Sequence, residues 1–198
     1  MKIAILDYGI NNIYSIEGAV QHLGHETQII TDYESKFDAD KIILPGVGAF
    51  KAGISALKDR GLFKFIKDKA NDDYHILGIC LGFQMLLSKS YEFGESKGLN
   101  IISGDVKHIK NVKGYNNHKV PNNGWRNIKI LSDNDPLFKD IKLSDYFYFI
   151  HSFYVDVIDK SIITSNCVYD SIEITSSIRK DNIFGTQFHP EKSGRLGL

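Results

Sequence analysis

Short apolar runs alternate with segments in which apolar positions recur every three or four residues. Lys2-Ile3-Ala4-Ile5-Leu6 stops at Asp7 and reads as a strand, while Ile13, Ile16, Ala19, Val20 and Leu23 fall on one face of a helix. Thr27 to Ile30 and Lys41 to Leu44 predict two more strands, the second closed by the breaker cluster Pro45-Gly46-Val47-Gly48. Residues 53–70 predict a helix that buries Ile54, Leu57, Leu62, Phe65 and Ile66, with Gly61 as its weak point. His75 to Ile79 predicts a buried strand, which gives way at Cys80 to a helical pattern from Leu81 to Leu87. Strands alternating with amphipathic helices argue for a doubly wound α/β fold on a mostly parallel central sheet, with its sites at the carboxyl ends of strands. Beyond residue 98 the runs shorten and aromatic residues cluster, as in Tyr146-Phe147-Tyr148-Phe149-Ile150-His151, which predicts a β-rich second half with antiparallel strands. No Pro-rich or Gly/Ser linker divides the halves, so residues 1–198 are expected to form a single domain around a shared core.

Charge narrows the choice of partners. Lys+Arg at 24 balance Asp+Glu at 24, so no global field attracts nucleic acid or an anionic membrane. The balance is uneven along the chain: between Asp105 and Asp133 the only formal charges are Lys107, Lys110, Lys113, Lys119, Arg126 and Lys129. That stretch is either a solvated face or a surface turned toward an anionic ligand or acidic partner. No apolar run reaches the roughly 18 residues that span a bilayer, and the opening residues MKIAILD lack a secretory pattern, so a cytoplasmic protein is expected. Without a secretory context, the two cysteines, Cys80 and Cys167, are read as separate thiols rather than a disulfide.

The two thiols differ in context. Gly78-Ile79-Cys80-Leu81-Gly82 has the form G-x-C-x-G at a predicted strand-to-helix junction, the thiol counterpart of a nucleophile elbow. A strained turn exposes the nucleophile, and glycines two residues either side avoid crowding neighbouring elements. Unpaired N–H groups at the start of the helix favour a thiolate, and that of Leu81 is placed to receive an oxyanion. A buried structural cysteine is the alternative for Cys80 and the expectation for Cys167. Acyl transfer at a thiolate also requires a base. Phe188-His189-Pro190-Glu191 follows the strand-like run Ile183 to Gln187, and in an extended segment Glu191 faces the same way as His189 and orients its imidazole. His151 ends a strand, which leaves a place near a site open, but a satisfied structural histidine is its default reading.

Taken together, these motifs resemble a class I glutamine amidotransferase over essentially the whole chain. Gly78 to Gln84 is similar to the family's nucleophile motif, and His189-Pro190-Glu191 to its distal His–Glu pair. Within the class, Pro45-Gly46-Val47-Gly48 is similar to the branch that acts as glutaminase subunit for imidazole glycerol phosphate synthesis in histidine biosynthesis. Asp7-Tyr8-Gly9 with Asn12, and Tyr146 to Ser152, also match that branch. The resemblance implies a catalytic trio of Cys80, His189 and Glu191, and an oxyanion site at Gly46, Val47 and Leu81. It further implies that Gly48, Gln84, Glu92 and Ser152 bind L-glutamine, with no cofactor and no metal. Ammonia is implied to pass to a barrel-shaped cyclase subunit in a heterodimer, which makes imidazole glycerol phosphate and aminoimidazole carboxamide ribotide. Asn12, Trp125, Tyr148 and Lys192 are implied to face that partner. The sequence departs from the branch at Asn122, Asn123 and Arg126, where P-H-M-G-W-N is usual, at Asn11, and after Leu198, where the branch carries a final helix. The first three departures, on the expected partner side, raise a paralogue supplying ammonia for amidino-sugar synthesis as a second reading. A flavodoxin-like binding module and a stand-alone thiol hydrolase are two more.

Overall fold

A computed structural model describes residues 1–198 apart from His118, Asp133, Asn134 and Asp170, so the acidic end of the basic stretch at Asp133 lies outside the described residues. The strands are β1 (Lys2–Leu6), β2 (Glu26–Ile30), β3 (Lys41–Leu44), β4 (His75–Ile79), β5 (Leu87–Ser90), β6 (Ser96–Lys97) and β7 (Ile102–His108). They continue with β8 (Asn122–Ile130), β9 (Tyr146–His151), β10 (Phe153–Val157), β11 (Ile163–Tyr169), β12 (Ile172–Lys180) and β13 (Ile183–Thr186). The helices are α1 (Ile13–His22), α2 (Phe50–Asp59), α3 (Leu62–Asn71) and α4 (Leu81–Met85).

Among the described residues, the large sheet has nine strands in the order β2-β1-β3-β4-β13-β12-β11-β8-β9. From β2 to β13 every pairing is parallel, and from β13 to β9 every pairing is antiparallel. A second sheet, β10-β7-β5-β6, packs beside it. Alternation along β1 explains the layering: Ile3 and Ile5 join the α1 side with Ile16 and Val20, while Ala4 and Leu6 join the cluster that holds α2 and α3. That larger cluster also takes Val106, Val155, Ile178 and Ile183 from the second half. Among the described residues, no helix is long and apolar enough to cross a membrane.

Two helices depart from the sequence reading. The helix expected over 53–70 begins at Phe50 and is cut at Gly61, whose φ of +70° starts α3 as a separate helix. The helix expected to reach Leu87 ends at Met85, because Leu87 pairs with Ile102 as the start of β5. The basic stretch is partly neutralised: Lys107 bonds Asp156 at 2.7 Å and Lys129 approaches Glu173 at 3.5 Å. Cys167 is wholly buried, and burial pushes its thiol up to about 12, as befits a packing residue.

Candidate active site

Cys80 sits where the parallel strand β4 turns into α4, with a φ of +53° that a non-glycine residue adopts only under strain. The neighbours enforce this turn. A Cβ on Gly78 would lie 2.8 Å from the Phe83 backbone, and one on Gly82 would lie 1.8 Å from the Leu44 carbonyl oxygen. Both glycines are therefore demanded by close backbone approach, and the Cys80 N–H is tied to β13 through the Thr186 carbonyl at 2.8 Å.

β13 then delivers the base. The His189 N–H donates to the Tyr148 carbonyl at 2.9 Å, and the Ser193 hydroxyl donates to the His189 carbonyl at 2.6 Å. Nδ1 of His189 meets Oε1 of Glu191 at 2.7 Å, with both side chains only 2% exposed. The pairing arises differently from the extended geometry expected from sequence. Pro190–Lys192 is a 3-10 turn opened by Pro190, and this turn carries the carboxylate back onto the ring. Burial opposes a charged imidazole, but the negative sulfur of Cys80 on the same cavity and the hydrogen-bonded Glu191 carboxylate outweigh it, raising His189 to about 9. Among the described residues, Nε2 of His189 and Oε2 of Glu191 are buried without a hydrogen-bond partner.

Cys80 and His189 share a cavity of about 620 Å³ with Val47, Gly48, Leu81, Gln84, Glu92, Ser152 and Lys192. Its size and mixture of apolar walls with convergent polar groups suit a small polar substrate. A separate trough of about 370 Å³, lined by Ile16, Val20, Leu77 and Phe188, is mostly apolar and holds no thiol. Among the described residues, no group of His, Cys, Asp and Glu is arranged to hold a metal ion.

Several expected positions have different surroundings from those anticipated. The Leu81 N–H is engaged, donating to the Gly46 carbonyl at 3.3 Å, so the oxyanion site is not open in this conformation. The helix behind it has five residues, too few for a substantial dipole. The Gln84 amide donates to the Phe153 carbonyl and to Gln187 Oε1, which makes it part of the cavity wall. Glu92 accepts from the Phe50 N–H at 2.6 Å and Gly48 has a φ of +87°. Asn12, expected on the partner side, donates to Glu191 Oε1 at 3.3 Å, behind the base.

Trp125 is 50% exposed, with its ring edge-on to Tyr148 at 6.1 Å, and Lys192 is exposed at the cavity rim. Tyr148 also bonds Asn123 at 3.1 Å. Asn122 has another role: it is fully buried, with Nδ2 3.1 Å from His151 Nε2 and Oδ1 accepting from Arg126 Nε at 3.1 Å. Two of the three departures from the branch pattern are thus an internal pair. Burial lowers His151 to about 4, so its ring is neutral, with Nδ1 donating to the Phe153 carbonyl at 2.8 Å.

Tyr8, which entered only through the Asp7-Tyr8-Gly9 match, and Gln187 were assigned no role from sequence. The Tyr8 hydroxyl donates to the Pro45 carbonyl at 2.7 Å, and Gln187 Nε2 lies 3.7 Å from Cys80 Sγ. A glutamine continuing a fully buried apolar strand run was the available signal for Gln187.

The class I glutamine amidotransferase family matches residues 4–197. The chain is similar to the imidazole glycerol phosphate synthase subunit HisH of Caldanaerobacter subterraneus subsp. tengcongensis, at 42% identity over 99% of this chain and 93% of that protein. It is similar to the HisH subunit of Geobacillus sp. (strain WCH70) at 39% identity, over 99% of this chain and 92% of that protein. Among solved structures, a glutamine amidotransferase superposes with a TM-score of 0.75 at 15% identity, covering 98% of this chain and 93% of the other. PurLQS from Thermotoga maritima superposes with a TM-score of 0.72 at 19% identity, covering 96% and 88%. At these identities the structural likenesses speak to the fold alone.

Proposed function

The chain belongs to the class I glutamine amidotransferases, and we infer that it is the glutaminase subunit of an imidazole glycerol phosphate synthase in histidine biosynthesis. The observation that carries the reading is a strained cysteine and a carboxylate-paired histidine on one cavity, in a chain about 40% identical to such subunits along nearly its whole length.

Glutamine enters the cavity with its side-chain amide at Cys80. His189 holds the thiol proton, Sγ attacks the amide carbon, and the carbonyl electrons move onto oxygen. The N–H groups of Leu81 and the Gly46–Val47 loop receive that oxyanion once the Gly46 carbonyl turns away from Leu81. His189 then protonates the departing nitrogen, ammonia leaves, and a glutamyl thioester remains. Water attacks the thioester carbonyl while His189 takes its proton, and glutamate is released. Glu191 fixes the imidazole and stabilises its cation, with Asn12 steadying the carboxylate. Gly48, Gln84, Glu92 and Ser152, which line the cavity, are assigned to the binding of L-glutamine. Ammonia passes to a barrel-shaped cyclase subunit docked over Trp125, Tyr148 and Lys192 in a cytoplasmic heterodimer. The cyclase there forms imidazole glycerol phosphate and aminoimidazole carboxamide ribotide.

The amidino-sugar reading is weakened by the relatives, which are HisH subunits about 40% identical along nearly the whole chain, and one of the departures from the branch, Asn122, is turned inward onto His151 and Arg126. Glutamine hydrolysis measured with and without the histidine-pathway cyclase is the test. The expected result is weak basal release of glutamate, strong stimulation by the cyclase, and loss of both in Cys80→Ala. Equal activity without the cyclase would favour a stand-alone thiol hydrolase, and activity surviving Cys80→Ala would overturn the mechanism.

A further inference from the structure

We propose that Gln187 is a further catalytic residue, whose side-chain N–H donates to the Cys80 sulfur and holds it as thiolate both before attack and as leaving group. The proposal rests on the glutaminase reading above and extends it.

Gln187 is wholly buried at the end of β13, with its backbone N–H on the Ser176 carbonyl at 2.8 Å. Its side-chain orientation follows from its neighbours. The Phe153 carbonyl can only accept, so the Gln84 group facing it at 3.1 Å is the nitrogen. That same Gln84 nitrogen donates to Gln187 at 2.9 Å, so Gln187 presents its oxygen there. The remaining end of Gln187 is its NH2 group, 3.7 Å from Sγ, within reach of an N–H···S contact. A carbonyl oxygen on β10 thus determines, through two amides, that a donor faces the nucleophile.

Besides the His189 imidazolium on the same cavity, other sources of support for the thiolate are limited. The helix behind Cys80 is five residues long, and its first N–H is occupied by Gly46. Nε2 of His189 makes no hydrogen bond among the described residues, which leaves it free to exchange protons with thiol, amide and water. Division of roles follows: His189 moves the proton and Gln187 stays a donor throughout. In the second half-reaction the water proton goes to His189, its oxygen bonds to the thioester carbon, the C–S bond breaks, and the electron pair returns to a sulfur that Gln187 already faces.

The test uses the full chain and iodoacetamide as probe. Cys167 is sealed in the core, so the alkylation rate against pH reports Cys80. A hydrogen bond to a charged group changes an equilibrium by about tenfold or more. In Gln187→Met, which keeps the volume and removes the donor, the pH of half-maximal alkylation is therefore expected to rise by about one pH unit. With the cyclase present, kcat is expected to fall about tenfold while KM for glutamine stays within about twofold. A folded Gln187→Met chain with an unchanged alkylation profile overturns the proposal. If that variant does not fold, the wild type still decides through its side-chain amide resonances. A buried glutamine NH2 pair must titrate with the thiol and stop titrating in Cys80→Ala; no such pair also overturns it. Failure of the glutaminase reading looks different: the wild-type chain with its cyclase would turn over no glutamine.

Discussion

The parallel and antiparallel portions of the large sheet bury polar groups for opposite ends. In the antiparallel strands β11 and β12, Thr164, Ser165, Ser176 and Ser177 bond one another at 2.6 to 2.7 Å, and nearby Asn122 and His151 form a closed pair. At the carboxyl ends of the parallel strands β4 and β13, the buried polar groups include atoms without partners, His189 Nε2 among them. Buried polar groups are ordinarily satisfied, because an unpaired one costs about 1–3 kcal/mol. The comparison teaches that internally satisfied polarity builds the wall of the site, whereas the unpartnered His189 Nε2, on the cavity with Cys80, marks where substrate makes a missing contact.

The sharpest way to break this contrast is at the unsatisfied atom. His189→Asn is expected to lower cyclase-stimulated glutamine turnover by about a thousandfold or more while leaving the circular dichroism spectrum close to wild type. A variant that keeps most of the rate would show that another group moves the proton.

Next in size is the elbow itself. Gly82→Ala drives a methyl into the Leu44 carbonyl and is expected to cost about 3 kcal/mol, read from urea unfolding. A loss below roughly 1 kcal/mol would mean that α4 shifts freely and that close packing does not hold the nucleophile.

In the wall, Asn122→Ala leaves His151 Nε2 and the Arg126 guanidinium without their shared partner. The expected cost is about 2 kcal/mol of stability, with a smaller effect on turnover than His189→Asn. A larger effect on kcat than on stability would transfer Asn122 from wall to reaction.

A further contrast separates the two histidines by pH. His189, raised to about 9, contributes stability that is complete below pH 6.5 and is lost as pH rises through 9. His151, lowered to about 4, contributes stability present above pH 6.5 and lost as pH falls toward 4. Urea midpoints between pH 4 and 9 are therefore expected to decline on both sides, and His189→Asn is expected to flatten the alkaline side. An alkaline decline that survives in His189→Asn would assign it to another group.

Legibility in the sequence followed the range of the interactions. The alternation from β1 to β4 was readable because the strands are short continuous apolar runs and each helix buries only one stripe, so composition changes period at every boundary. The boundary between α4 and β5 was not, since Leu87 satisfies a helix pattern as well as a strand and only pairing with Ile102 decides. Asn12 read as a surface residue because nothing local announces a bond to Glu191, 179 positions away.

The sequence by itself determined the α/β alternation, the elbow with its paired glycines and the pairing of His189 with Glu191, though not the turn that makes that pairing, because each is a local arrangement whose residue types are dictated within a few positions. Tertiary structure alone decided that Cys80 and His189 share a cavity, that Leu81 is occupied by Gly46, and which way the Gln187 amide points. Those outcomes depend on hydrogen bonds between strands distant in the chain, where an acceptor such as the Phe153 carbonyl sets the orientation of two amides in succession.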